Sequence, residues 1–429
     1  MNVMIITHSY LPSFSPRALR WSAIAEQWVK KGNQVDVLSS SNGSPCLQER
    51  VNGVRIYRIE GFFLQRRRGQ LGALQGSSGG KFARWLRRLY EVSWKRIYWP
   101  DYACLWYYAA SRKAKELLGR KRYEVIISVS LPFTNHLVGM WLQKNSKDVP
   151  WLVDVGDPFS FSEMRHLNNH VLYRKLNERV EGAVFTRADW VTVTTEEVSS
   201  LYKQKFPENA YKMNVIPPLL NEREELNKAS AVKLNEGKIN ISYVGNFYRS
   251  IREPDVLLSL LESVLKADPA LRETVAFHIF GNTDRFPTAF EKSKELEQVC
   301  TLHGSVEHSF VGQIIGQSQM LINLGNTTCY QLPSKIVEYA ASGKPIINIC
   351  TSQSDSSLRF LRNYSLTMNV LMKGKTPLSP IGELVRFIKE NYAKQMTEGV
   401  LQEFIKPYRG EHISDQYLAV IHNKPAGMS

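Results

Sequence analysis

Short apolar runs alternate with helix-patterned stretches through most of this chain, and that alternation admits little besides parallel α/β architecture. In the first half the runs are VMIITHS, QVDVLSS, EVIISVS, WLVDVGD and DWVTVTT, followed by a shorter MNVIPP. A polar stretch without periodicity, residues 217–238, then reads as a linker. The alternation restarts with INISYVG, VAFHIFG, MLINLG and KPIINIC, with helices expected near 254–267, 288–299, 307–318 and 333–342. At 429 residues the chain exceeds what one core supports. Two Rossmann-like units joined by one linker are expected, 1–218 and 219–405, with a terminal helix in 406–429 crossing back to the first unit.

Local signals agree with this outline. Between the first two runs, Ser15 suits a helix cap, Pro16 the first helical position and Gly32 the stop. Five cysteines, Cys46, Cys104, Cys300, Cys329 and Cys350, have no CxxC spacing. They point to a reducing compartment rather than a disulfide frame or a zinc site. The opening MNVMIITHSY reads as a strand and lacks the basic start of a signal peptide. Val125 to Gln143 carries no formal charge, but Pro132, Asn135 and His136 divide it into a strand, a turn and a helix rather than a membrane span.

The net charge of +15 is unevenly placed. Residues 61–122 hold ten arginines and five lysines against Glu91, Asp101 and Glu116, interleaved with aromatics such as Trp85, Trp94 and Trp99. Such a segment suits an anionic membrane surface or nucleic acid, and it suits equally a solvated insertion whose aromatics pack on the domain.

The stretch QLPSKIVEYAASGKPII, residues 331–347, holds the strongest chemical signal. Pro333 fits a helix start, Lys335 adds a charge near the free N–H groups, and Glu338 follows three residues later. Glu338 can pair with Lys335 or point at hydroxyl groups. Because ligands in open α/β sheets lie beyond strand carboxyl ends, Gly245 with Arg249 and Arg252, and Gly304 with Val306, are further candidates. Guanidinium groups at one strand end and a lysine at another match a diphosphate. GxGxxG after a strand, P-loop, HExxH and DxD patterns are absent from the sequence, and GSSGG at 76–80 is a low-complexity patch rather than a strand-to-helix turn.

PSKIVEYAASGKPII resembles the donor motif of family 4 glycosyltransferases of the GT-B type. THSYLPSFSPRALRWSAIAEQWVKKGNQVDVLSS resembles that group's opening, WLVDVGDPF its Asp-x-Arg-Asp-Pro-Trp stretch, and RADWVTVTTEEV its ADxVTVxSE strand. The resemblance runs over about residues 1 to 350 and implies two Rossmann-like domains facing each other across a cleft. The first would bind the acceptor and the second a nucleoside-diphosphate sugar, with UDP the first nucleotide to expect. It also implies that Glu338 holds the ribose, that Ser334, Lys335 and Arg249 or Arg252 hold the diphosphate, and that Gly304 to Val306 face the base. Transfer would retain anomeric configuration and need no metal or other cofactor. Two departures stand out: Tyr330 replaces a second glutamate eight positions before Glu338, and Gly156 replaces the arginine of the Asp-x-Arg-Asp stretch.

In the first half, Arg17 and Arg20 sit in a helix's first turn, where cations are disfavoured unless an anion is near. They are candidate phosphate or acceptor contacts, as is Asp154. Asp157 is a candidate for holding or deprotonating the acceptor hydroxyl, beside catalysis by Arg252 and Lys335 at the departing diphosphate. His136 lies six residues past a strand end and reads better as a helix-face histidine than as a catalytic one. The expectation is a cytoplasmic glycosyltransferase, peripheral on the inner membrane face, acting on a glycan or lipid-linked acceptor and not on nucleic acid. A nucleotide-sugar 2-epimerase of the same fold, a basic nucleic-acid-binding protein and an inactive scaffold are the alternatives.

Overall fold

The computed structural model describes residues 1–13, 15–41, 47–60, 97–146, 148–163, 166–221, 232–249, 251–284, 286–291, 294–328, 330–333 and 335–423. The chain forms two compact units, Met1–Pro217 with Gly410–Ser429, and Pro218–Arg409.

The first unit is built on eight strands: β1 (Asn2–Ile6), β2 (Gln34–Ser40), β3 (Gln48–Val51), β4 (Val54–Ile59), β5 (Val125–Val129), β6 (Trp151–Asp154), β7 (Trp190–Val193) and β8 (Met213–Val215). Their order is β3-β4-β2-β1-β5-β6-β7-β8, parallel except where β3 turns back on β4. Val3 of β1 lies between Val35 and Val125. Helices cover both faces, so the central strands β1, β2, β5, β6 and β7 are nearly continuous buried runs, which is why they stand out in the sequence.

Helix Pro16–Lys30 starts where its signals place it. Ser15 Oγ accepts from Ala18 N at 3.2 Å, and Gly32, at φ +83°, ends it in a conformation that favours glycine. Its buried face carries Trp21 and Trp28, which pack tilted and edge-on, respectively, against Tyr417 of helix Gly410–His422. The Trp28 indole donates to Ser414 O at 3.1 Å. The terminal helix is thus part of the first unit's core.

The second unit holds β9 (Ile239–Val244), β10 (Val275–Phe280), β11 (Cys300–Gly304), β12 (Met320–Leu324), β13 (Ile346–Cys350), β14 (Thr367–Lys373) and β15 (Thr376–Pro377). The order is β11-β10-β9-β12-β13-β14-β15, parallel except for the last pair. Leu257, Leu261 and Leu265 of helix Pro254–Ala267 fill one face of the sheet. Ile336 and Ala340 of helix Lys335–Ala341 belong to the core on the other. A row of asparagines runs from the sheet interior to its surface: Asn323 Nδ2 donates to Asn348 Oδ1 at 2.7 Å, and Asn348 Nδ2 to Oδ1 of the exposed Asn369 at 2.8 Å. The three are in register on β12, β13 and β14, so each amide satisfies the next.

Some expectations need correction. The stretch 288–299 is one turn of helix at Pro287–Glu291 and a 3₁₀ turn at Lys294–Leu296, not one helix. The 307–318 helix begins only at Val311, after a 3₁₀ turn. The motif helix begins at Lys335; Pro333 sits in the turn before it, its carbonyl accepting from Ile336 N at 3.2 Å. The expected linker (over 222–231) and the basic aromatic segment (over 61–96) lie outside the described residues. Among the described residues no helix is long and apolar enough to cross a membrane.

Candidate active site

A parallel sheet opens a crevice where its strand order reverses, because loops there leave in opposite directions. In the second unit the reversal lies between β9 and β12. β9 pairs with β10 through Val244 but with β12 only as far as Tyr243. The side of Val244 left unpaired is taken by Tyr339, whose hydroxyl accepts from Val244 N at 2.8 Å and donates to Val244 O at 3.1 Å. This pins the helix carrying Lys335 and Glu338 to the end of β9.

Gly245 comes next. Its carbonyl oxygen lies 2.0 Å from where a Cβ on Gly281 would stand, so only glycine lets the ends of β9 and β10 come so close. The chain then folds back, Tyr248 and Arg252 exchanging two N–H···O bonds of 2.9 Å. Arg252 thereby reaches across the reversal, and its Nη2 donates to Asn326 Oδ1 at 2.6 Å on the loop after β12. Asn326 Nδ2 in turn donates to Gln331 O at 3.0 Å, tying that loop to the motif. Asp355 stands near Arg252; burial raises its carboxyl, against hydrogen bonds from Ser357 and the guanidinium charge.

Lys335 Nζ lies 2.9 and 3.3 Å from the two Glu338 oxygens, with both side chains about one-fifth exposed (23% and 20%). The two readings of Glu338 are therefore compatible: it forms the helix ion pair and also borders the crevice. Burial raises the Tyr339 phenol, and its surroundings include both the Glu338 carboxylate and the Arg252 guanidinium. Gly304 (φ +69°) turns the chain out of β11, two strands from β9, and Val306 packs on the core beyond it. Arg249 is exposed, Tyr330 is buried and Ser334 is outside the described residues.

In the first unit the order reverses between β1 and β5. Asp154, at the end of β6, is 1% exposed and fully engaged. Oδ2 accepts from Arg17 Nη1 at 3.1 Å and Trp21 Nε1 at 2.8 Å; Oδ1 accepts from Tyr417 OH at 2.6 Å and Thr192 Oγ1 at 2.9 Å. Burial pushes this carboxyl up, but Arg17, Arg20 and these donors outweigh it and hold it below the usual range. Arg20 is also interior, donating to Pro217 O at 2.6 Å, Ile216 O at 3.1 Å and Tyr417 OH at 3.1 Å. Arg20 and Asp154 thus bind the terminal helix into the core, which corrects the expectation that they meet an acceptor or phosphate.

Arg17 stays partly exposed and explains Gly156. A Cβ at 156 would lie 2.2 Å from Arg17 Nη2 and 2.5 Å from its Cζ. Arg17 of the first helix thus fills the space that a side chain at 156 would need. Asp157 is partly buried in the following turn. His136 is a core residue, its Nδ1 2.8 Å from Ser128 Oγ, with its imidazole pushed down to about 3, chiefly by burial.

The residue that sequence reasoning passed over is His8, directly beyond β1 in THSYLP. It is 8% exposed, packs edge-on against Trp106 and Tyr102, and neither ring nitrogen has a hydrogen-bond partner. Trp106 Nε1 beside it is likewise buried without a partner. Burial pushes the imidazole down to about 4, so it is neutral at pH 7. Its place beyond the first strand was the available signal.

Residues 18–218 match the model of the glycosyl transferase 4-like domain. That match spans just under half of the chain, and the fold around it is GT-B. No curated protein sequence matches it. Among solved structures it is similar to sucrose-phosphate synthase from Thermosynechococcus elongatus (15% identity, 98% of each chain, TM-score 0.63). It is also similar to the catalytic domain of starch synthase IV from Arabidopsis thaliana bound to ADP and acarbose (10% identity, 98% of each chain, TM-score 0.62). A third is the lipopolysaccharide outer core galactosyltransferase WaaB (13% identity, 98% of this chain and 99% of that one, TM-score 0.55). These likenesses establish two Rossmann-like domains. All but the last of the matched residues belong to the first unit; they include Asp157 but begin after His8 and Arg17, and the crevice with Arg252, Lys335 and Glu338 belongs to the other unit.

Proposed function

We propose that the protein moves a sugar from a nucleoside-diphosphate donor to an acceptor hydroxyl, with the donor bound where strand order reverses between β9 and β12. The observation that carries this reading is the pinned motif helix: Tyr339 holds Lys335 and Glu338 beside the strand end from which Arg252 returns. Glu338 takes the ribose hydroxyls, exchanging its contact with Lys335 for the ligand. Lys335, Arg252 and the exposed Arg249 meet the charge of the diphosphate, the largest electrostatic demand of the reaction.

In the transfer, the bond between the anomeric carbon and the diphosphate oxygen breaks with its electron pair going to the diphosphate. The acceptor oxygen bonds to the anomeric carbon on the same face, and its proton passes to the departing phosphate. Configuration is retained, and Arg252 and Lys335 supply the positive charge without a metal ion. His8 and Asp157 are the acceptor-side candidates. The acceptor is a glycan or lipid-linked glycan, and the enzyme works in the cytoplasm, peripheral on the inner face of the membrane. The galactosyltransferase WaaB among the structural relatives is consistent with a surface-glycan role.

Calorimetric titration with UDP, GDP, ADP and dTDP, beside Glu338→Ala, tests the donor site. One nucleotide should bind preferentially, UDP first, with affinity lowered ten-fold or more in the variant. Binding of none, or equal affinity in the variant, overturns the assignment. Turnover of the nucleotide sugar to a new nucleotide sugar without an acceptor would favour epimerisation instead.

A further inference from the structure

Helix His170–Arg187 leaves its first two turns uncovered. Val171 is 96% exposed, Leu172 61% and Leu176 40%, among the most exposed large apolar residues described. Lys175 and Arg179 are exposed on the same helix, as is Arg174. At about 100° per residue, Val171, Lys175, Arg179, Leu172 and Leu176 fall within about 140° of the circumference. A solvated helix face has no need of three large apolar groups, and the core of a protein-docking face is depleted of lysine such as Lys175. An interface with anionic lipid uses both, since lysine and arginine stems lie along the apolar layer while their heads reach phosphate.

Two further observations point the same way. Arg174 and Lys175 also line a cavity of about 630 Å³ with His166, His170 and Lys205. Two glutamates, Glu163 and Glu178, border it as well, and Glu178 is held by Lys205. The cavity therefore offers cations where a headgroup phosphate would enter. The second observation is where the described chain resumes after the basic segment. Residues 61–96 carry seven arginines and two lysines against one glutamate. The chain after them is tied to this helix: Tyr173 OH donates to Ile97 O at 2.7 Å, and Trp99 Nε1 to Asn177 Oδ1 at 2.9 Å. Ile97 itself is 57% exposed, adding a fourth apolar group beside the face.

We propose that the exposed face of the first three turns of helix His170–Arg187, with Ile97 beside it, forms the surface by which this protein seats on an anionic bilayer. Val171, Leu172 and Leu176 enter the headgroup boundary, and Arg174, Lys175 and Arg179 engage lipid phosphates. This deepens the membrane-peripheral reading above by assigning it a surface, and it is independent of which nucleotide or acceptor is used.

The test is flotation of the full-length protein with vesicles of phosphatidylcholine and phosphatidylglycerol in a 3:1 ratio, beside vesicles of phosphatidylcholine alone. The wild type should partition onto the anionic vesicles and release with added salt. A Val171→Ser, Leu172→Ser, Leu176→Ser variant should partition at least ten-fold less. An Arg174→Gln, Lys175→Gln, Arg179→Gln variant should weaken by about five-fold per charge removed. Thermal unfolding and nucleotide titration of both variants should match the wild type, since the altered side chains are exposed and belong to the other unit from the donor crevice. Variants that float like the wild type overturn the proposal, as does a wild type that ignores anionic vesicles. A wild-type dimer that the serine variant converts to monomer, without vesicle binding, would show the face to be an association surface instead. Failure of nucleotide binding with vesicle binding intact would refute the donor reading and leave this surface standing.

Discussion

Tyr339 completes the edge of β9 by bonding both polar backbone groups of Val244, one hydroxyl doing the work of a strand. β12 diverges at that point to form the crevice, and without the phenol the N–H and C=O of Val244 would be buried without partners. The side chain that opens the sheet thus also fixes the helix bearing the ion pair of Lys335 and Glu338. Crevice and motif are one construction.

Tyr339→Phe isolates this role, since it keeps the ring and removes the hydroxyl. Two buried backbone groups lose their partner, which should cost about 2–4 kcal/mol of stability in the C-terminal unit. Nucleotide affinity should fall as well, because the motif helix loses its anchor. Urea unfolding and calorimetry measure the two effects. A variant with wild-type stability and affinity would show that β9 and the motif helix are held together by apolar packing alone.

Gly156 and Arg17 give a second prediction. Gly156→Arg should destabilise the first unit by about 2–3 kcal/mol, because Arg17 already occupies the space and must give up its 3.1 Å contact with Asp154. In an Arg17→Ala background the same substitution should cost at least 1 kcal/mol less, the signature of two residues competing for one site. Purely additive losses in thermal unfolding of the single and double variants would mean that the two positions are not coupled.

Much of the fold was legible in the sequence because parallel strands buried on both faces are nearly unbroken apolar runs. β1, β2, β5 to β10, β12 and β13 all coincide with such runs. β3, at the sheet edge, is QERV and carries too much charge to announce itself. β14 reads TMNVLMK, only partly buried, and its exposed Asn369 bonds Asn348 on the neighbouring strand. At the site, PSKIVEY showed that Lys335 and Glu338 belong together, but not that Tyr339 anchors them. Arg20 and Asp154 misled for a related reason. A charge in a first turn or at a strand end suggests a ligand, and the partners that neutralise these two, Tyr417 above all, lie far away in sequence.

His8 should matter to transfer and not to donor binding. His8→Asn keeps a polar group of smaller size, so stability should change by no more than about 1 kcal/mol. Transfer to an acceptor should slow ten-fold or more, while nucleotide affinity by calorimetry stays at the wild-type value. Since the imidazole is pushed down to about 4, its protonation would limit the rate near pH 4, not near the ordinary histidine value. A variant with an unaltered transfer rate would make His8 a packing residue that happens to lack a partner.

Acid stability offers a test that requires no substrate. His136 is pushed down to about 3 by burial, against an unfolded value of 6.5. Between those values the unfolded chain binds a proton that the folded chain excludes, so stability is full above about pH 6.5 and falls as pH drops. From pH 7.5 to 5 this one group should remove about 2 kcal/mol from the first unit. Buried carboxyls that are pushed up, such as Glu181 and Asp101, act in the opposite sense, so the wild-type curve alone does not isolate the histidine. The difference between wild type and His136→Gln does, because the carboxyl contributions are common to both. Glutamine does not titrate, so the wild type should lose about 2 kcal/mol more than the variant over that interval in urea unfolding followed at each pH. Parallel curves for the two proteins would mean that His136 takes up its proton in the folded state at an ordinary value, and that its burial beside Ser128 does not exclude the charge.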